Sequence, residues 1–150
     1  MKKKWIRPLF WIYFLILMDV IVFKFFGNVN DVMNNIMINK HSVEIDSSSL
    51  VNLIPFRTLL QDITYSPAHL LLNVIIFIPF GILFPLSYPR HSNFLTFTLI
   101  ALLSICGIEF IQRITYLGIF DIDDILLNLL GCFIGYIVVQ FLVRPFLKSI

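Results

Sequence analysis

Residues Gly107–Tyr136 read GIEFIQRITYLGIFDIDDILLNLLGCFIGY. Two strongly apolar runs meet here, and Glu109, Gln112, Arg113, Asp121, Asp123, Asp124 and Asn128 interrupt them near the junction. An ionisable group at membrane depth costs roughly 2.5–3.5 kcal/mol on insertion scales unless it is paired or faces water, so carboxylates in such a setting mark a binding or catalytic site by default. The apolar runs decide the fold class, and the polar interruptions give the first candidates for function.

Outside this stretch the chain has the same character. Its 150 residues are 59% hydrophobic, 15% aromatic and 13% charged, with a mean hydropathy of +0.91. That composition lies far from ordinary soluble domains. It predicts an all-α integral membrane protein forming one membrane domain over residues 1–150. Four stretches are long enough to cross a hydrocarbon core of ~30 Å, which takes about 20 helical residues. They are residues 8–26, 68–88, 94–112 and 125–146. Pro79 and Pro85 fall in the second, where each removes a helix hydrogen bond and favours a bend. The basic start, Met1 to Arg7, resembles a signal peptide, but the apolar run continues to Phe26 without a small-residue cleavage site and reads as a retained first helix.

About forty residues separate the first two spans. NVNDVMNNIMINK (28–40) and EIDSSSL (44–50) read as an exposed loop, whereas VNLIPFRTLLQDI (51–63) reads as a short helix in the interface plane. Pro55 would lie in its first turn, with Leu59, Leu60 and Ile63 on one face. Lys2, Lys3, Lys4, Arg7, Arg90, Arg144 and Lys148 fall on one side of the four spans. By the positive-inside rule this gives a multi-pass cell-membrane protein with both termini cytoplasmic and every polar motif on the outer side. The net charge of +2 is spread over helix ends and excludes a nucleic-acid footprint. Cys106 and Cys132 lie singly in apolar runs and read as core residues, with no metal-thiolate spacing.

On the third span, Glu109, Gln112 and Arg113 share a face at i, i+3 and i+4. On the fourth, Asp124 and Asn128 lead into Gly131 and Gly135, a small-residue stripe against which a neighbouring helix can pack closely, and the third span is the expected neighbour. Asn73, Glu109 and Asn128 lie at similar depth, roughly 5–8 Å below the outer boundary at 1.5 Å per residue. These positions outline an outward-facing pocket roofed by Asn52 to Arg57 and rimmed by Asp121 and Asp123, with Asp19 deeper and His69 one turn before Asn73. The candidate ligand-binding residues are Asn52, Arg57, Asn73, Glu109, Gln112, Arg113, Asp121, Asp123, Asp124 and Asn128. Packing alone offers another account: Asp121 as a helix cap, Asp123 and Asp124 against the helix dipole, Asn73 and Asn128 as interhelical bonds, and Glu109 paired with Arg113.

Four motifs occur in order: NLIPF at Asn52–Phe56, NVIIFIPFG at Asn73–Gly81, ExxQ at Glu109–Gln112, and FDIDDILLNLLG at Phe120–Gly131. In these the chain resembles the VanZ-like family of membrane proteins over about residues 52–136. The family's prototype accompanies glycopeptide-resistance determinants in Gram-positive bacteria, so the resemblance implies a role in tolerance to teicoplanin-type lipoglycopeptides. Many members carry a basic residue just before the acidic string, where this chain has Gly118 and Ile119. Two readings of mechanism stand. In one, the pocket holds an amphipathic or lipid-linked envelope ligand. In the other, the protein is an intramembrane hydrolase or transferase with Glu109 as its acid or base and aspartates binding a divalent cation. No cofactor is expected and no metal is assigned, Asp121 and Asp124 being the only metal candidates. The expected partner is a membrane lipid or lipid-linked ligand, and a homo-oligomer is compatible with the glycine stripe.

Overall fold

The computed structural model describes residues 5–23 and 29–145. Among the described residues six α-helices carry the fold. They are α1 (Ile6–Met18, continued by a π-helical turn over Asp19–Phe23), α2 (Val29–Ile45), α3 (Arg57–Tyr65), α4 (Pro67–Ser87), α5 (Phe94–Ile114) and α6 (Ile122–Val138, continued by a π-helical turn over Val139–Val143). Helices α4, α5 and the extended α6 are each long and apolar enough to cross a membrane. Residues 8–23 of the first span expected from sequence are helical, falling in α1 and its π-helical turn. Residues 24–26 of that span, the lysines at positions 2–4, Phe146 and Lys148 lie outside the described residues.

Buried Phe10, Leu17, Phe77, Phe80, Phe84, Phe97, Ala101, Ile105, Ile108 and Cys132 form the core between the long helices. Helix α4 is central, packing against both α1 and α6. Its contact with α6 is made by glycine. A Cβ on Gly131 would collide with the Val74 carbonyl, one on Gly135 with the Ile78 carbonyl, and one on Gly81 with the Cys132 carbonyl. The stripe on α6 therefore packs on α4, the second apolar run, and not on α5 as the sequence suggested. Gly81 on α4 supplies the complementary hollow, and a small residue on both partners lets backbones approach more closely than a stripe on one.

Helix α4 runs unbroken through Pro79 and Pro85. In the turn that Pro79 disturbs, the Tyr13 hydroxyl donates to the Ile76 carbonyl at 2.7 Å, a polar tie from α1 to α4. At the far end of the same pair, Arg7 Nε donates to the Ser87 carbonyl at 3.1 Å. The Tyr136 hydroxyl reaches the Ser92 carbonyl at 3.0 Å, and Arg144 bonds the Ser92 hydroxyl. Arg7 and Arg144 thus gather at one end of the bundle, beside the α4–α5 connection that carries Arg90.

The segment read as an exposed loop is instead largely the helix α2. Asn and Asp are weak helix formers, but tertiary contact overrides propensity. Val32, Ile36 and Asn39 fall on one face at i, i+4 and i+7. Val32 and Ile36 pack against the core, and Asn39 Nδ2 donates to the Tyr116 carbonyl at 2.8 Å. Met33, Met37 and Ile38, off that face, are exposed.

Candidate functional site

Two very short strands organise the end of the bundle opposite Arg7. β1 (Val51–Asn52) pairs in parallel with β2 (Phe120–Asp121), with Val51 opposite Phe120 and Asn52 opposite Asp121. This pairing brings the NLIPF segment against the acidic string. Asn52 Nδ2 donates to Asp121 Oδ1 at 3.1 Å, and the Thr58 hydroxyl donates to Asp121 Oδ2 at 2.5 Å. Asp121 Oδ1 also accepts from Asp123 N–H at 2.8 Å, which caps α6.

Asp123 is 1% exposed, and its carboxylate faces away from its own helix. Oδ1 accepts from Phe56 N–H at 2.6 Å. Oδ2 accepts from Thr58 N–H at 2.9 Å and Leu59 N–H at 3.0 Å. These are orphan donors at the start of α3, so a carboxylate from α6 caps a helix more than sixty residues earlier. The cap also holds Phe56 at φ 66°, a left-handed conformation uncommon for a bulky residue. A sequence reading that looks for a cap within the helix's own flanking residues misses this arrangement.

Behind these bonds lies a cavity of about 430 Å³. Asn73, Glu109, Gln112, Asp121, Asp124 and Asn128 line it, together with Thr58 and His69. Asn73 Nδ2 donates to Asp124 Oδ1 at 2.5 Å, tying α4 to α6. His69 Nδ1 lies 2.6 Å from Asp62 Oδ2, and its Nε2 is 4.0 Å from Asp124 Oδ1. Gln112 Nε2 donates to the Ile21 carbonyl in the π-helical turn after α1. Glu109, 2% exposed, receives only the Asp121 N–H among the described residues, at 3.4 Å. Asn128 is also 2% exposed, and its Oδ1 has no hydrogen-bond partner.

Of the residues expected in a pocket, Asn73, Glu109, Gln112, Asp121, Asp124 and Asn128 line one cavity. The other four do not line it. Asn52 buttresses Asp121 from outside, Asp123 caps α3, and Arg57 is exposed on α3. Arg113 turns to the Ser47 carbonyl at 2.8 Å, so the Glu109–Arg113 pair is absent. Asp19 is likewise not in the lining. Asn35 and Asn39 of α2, Thr58, and the cavity residues Leu117 to Ile119 were not expected. The i, i+4, i+7 pattern of Val32, Ile36 and Asn39 was the available signal for α2. Among the described residues no three His, Cys, Asp or Glu side chains form a metal-ligand set, and Asp121 and Asp124 are both engaged by protein donors.

The VanZ/LLP1 family profile matches residues 10–143. The chain belongs to that family. It is 31% identical to the protein VanZ of Enterococcus faecium over 129 residues, covering 86% of this chain and 70% of that protein. No solved structure matches. The VanZ/LLP1 match takes in α1 and α2 as well as the motifs from Asn52 onward, so all the elements around the cavity fall within it.

Proposed function

We propose that the chain is a multi-pass envelope membrane protein whose polar cavity faces outward and holds a lipid-linked or amphipathic ligand. In this reading α1 and its π-helical turn supply a fourth span, both termini are cytoplasmic, and α3 lies in the interface plane. The exposed Leu53, Ile54, Phe56, Leu60 and Ile63 suit contact with the acyl boundary. The function that follows is a contribution to tolerance of teicoplanin-type lipoglycopeptides, as the resemblance to the VanZ-like family implies.

One observation carries the reading: a polar cavity sits at one end of three strongly apolar helices, with polar side chains from each converging in it. An apolar surround with a few convergent polar groups suits an amphipath. The test compares cells lacking the gene with cells carrying the native protein, Glu109→Gln or Asp124→Asn, at matched membrane abundance. Tolerance to teicoplanin-type compounds should fall on deletion and in both variants, while glycopeptides without an acyl chain change less. Equal sensitivity with and without the gene overturns the link.

A further inference from the structure

The cavity lining is rich in acceptors and poor in positive charge. Glu109, Asp121 and Asp124 contribute three carboxylates, against a single imidazole, His69. Among the described residues no lysine or arginine lines the cavity, Arg113 being held at the Ser47 carbonyl. The carboxylates also differ in how well the protein serves them. Asp121 accepts from Asn52, Thr58 and Asp123, and Asp124 accepts from Asn73. Glu109 has one long contact among the described residues. Asn128, on the helix that also carries Asp124, presents a buried carbonyl oxygen with no donor at all.

A buried acceptor left without a donor costs roughly 1–3 kcal/mol, and more when it is charged. A ligand that brings donors removes that penalty, and one that also brings positive charge answers the carboxylates. A primary ammonium does both, with three N–H donors and no acceptor. Of the residues lining the cavity, Asn35, His69 and Ile119 are exposed, and exposed Phe110 and Ile114 lie outside the lining on the adjacent stretch of α5. The α5 stretch suits hydrocarbon more than water.

We infer that the cavity binds the primary-ammonium headgroup of a membrane amphipath, with the ammonium between Glu109 and Asn128 and the hydrocarbon along α5. This rests on the proposal that the cavity holds an amphipathic ligand, and it names that ligand's chemical class. The same chemistry is offered by a free amine. A free amine lacks the tails that the apolar stretch of α5 would accept.

The test uses purified full-length protein and four probes: dioleoyl phosphatidylethanolamine, its N-acetylated derivative, dioleoyl phosphatidylglycerol and free ethanolamine. Binding is read by native mass spectrometry and by competition. Phosphatidylethanolamine should bind roughly tenfold more tightly than the N-acetylated lipid, the loss expected when charge-assisted hydrogen bonds are removed. Glu109→Gln and Asn128→Leu should erase most of that preference, while Asn128→Asp should keep it. Because either buried variant can disturb folding, Ile119→Lys provides a second approach from an exposed lining residue: a built-in ammonium should displace the lipid while leaving the helical content unchanged. Equal binding of the native and N-acetylated lipids overturns the ammonium assignment but leaves the amphipath cavity standing, provided Ile119→Lys still weakens both. Absence of binding by every lipid overturns both proposals. Ethanolamine binding as tightly as the lipid overturns the lipid as source.

Discussion

Helix α6 meets α4 in two different ways along its length. In the half beyond Gly131, backbone lies on backbone: Gly131 and Gly135 sit against the Val74 and Ile78 carbonyls, and Gly81 fits against Cys132. In the half before it, polar side chains span a gap, through the Asn73–Asp124 bond and the unpartnered Asn128 carbonyl. One helix face carries both, since Asp124, Asn128, Gly131 and Gly135 follow at i, i+4, i+7 and i+11. The glycine half fixes the spacing of the helices. Where the residues become larger and polar, the helices can no longer touch, and a cavity is the consequence.

The largest effect should come from breaking the glycine half. Gly131→Val places a branched side chain where a single carbon already meets a backbone oxygen, and backbone cannot rotate aside. Overpacking of this kind costs about 1–3 kcal/mol and sometimes more, so membrane abundance and thermal stability should fall sharply. Gly107→Ala gives the contrast on α5. A Cβ there meets nothing within 4 Å, and replacing glycine in a helix gains up to about 1 kcal/mol. A raised melting temperature for Gly107→Ala beside a lowered one for Gly131→Val would confirm that the seam, and not glycine content, sets stability. Equal effects would break the comparison.

Next in size is Asp123→Ala. It strips acceptors from three N–H groups at the start of α3, where Phe56 is exposed and Thr58 and Leu59 are half-buried, so water takes up part of the loss and the cost is about 1 kcal/mol, as for removal of a helix cap. Hydrogen exchange at Phe56, Thr58 and Leu59 should accelerate strongly, while the α4–α6 seam stays protected. If α3 stays protected, the cap contributes less than its geometry implies.

These two expectations also separate what the sequence discloses from what it hides. The apolar runs that became α4, α5 and α6 are legible because twenty apolar residues have few other uses. Glu109, Asn73, Asp124 and Asn128 are legible because polar groups in such runs are rare. The choice of α4 over α5 as the partner of the glycine stripe was not legible from α6 alone, since Gly81 had to be read as its complement across fifty residues. The parallel β1–β2 pair is only two residues long on each side, too short to leave an alternating pattern. Asp123 capping α3 follows from that pairing and was hidden with it. Helix α2 was masked by its asparagines, although Val32 and Ile36 kept helical spacing.

A smaller effect belongs to Asn73→Ala, which removes the donor to Asp124 Oδ1. Interhelical polar bonds in membranes average about 0.6 kcal/mol, so folding should change little. Function should change more, because Asp124 then loses its fixed orientation in the cavity. Teicoplanin-type tolerance measured at matched membrane abundance separates the two: an unchanged tolerance would place this bond with the packing half of the comparison.

The smallest effect lies outside both halves, at Asp46. Its carboxylate accepts from the Ser48 backbone N–H at 2.9 Å and the Ser48 hydroxyl at 2.8 Å, and these bonds, the backbone one first, hold its pKa below the ordinary aspartate value. A depressed folded pKa stabilises the turn above the ordinary value, and that contribution is lost as pH falls through the depressed one. Ser48→Ala removes the hydroxyl bond and leaves the backbone bond, so the Asp46 titration midpoint followed by NMR should rise only part of the way back. A full return would mean that the hydroxyl alone orients this carboxylate. Because Asp46 is fully exposed, water screens the interaction, and the global stability should not move. That separates a solvated acid held by its own turn from the acids of α6, whose partners come from distant parts of the chain.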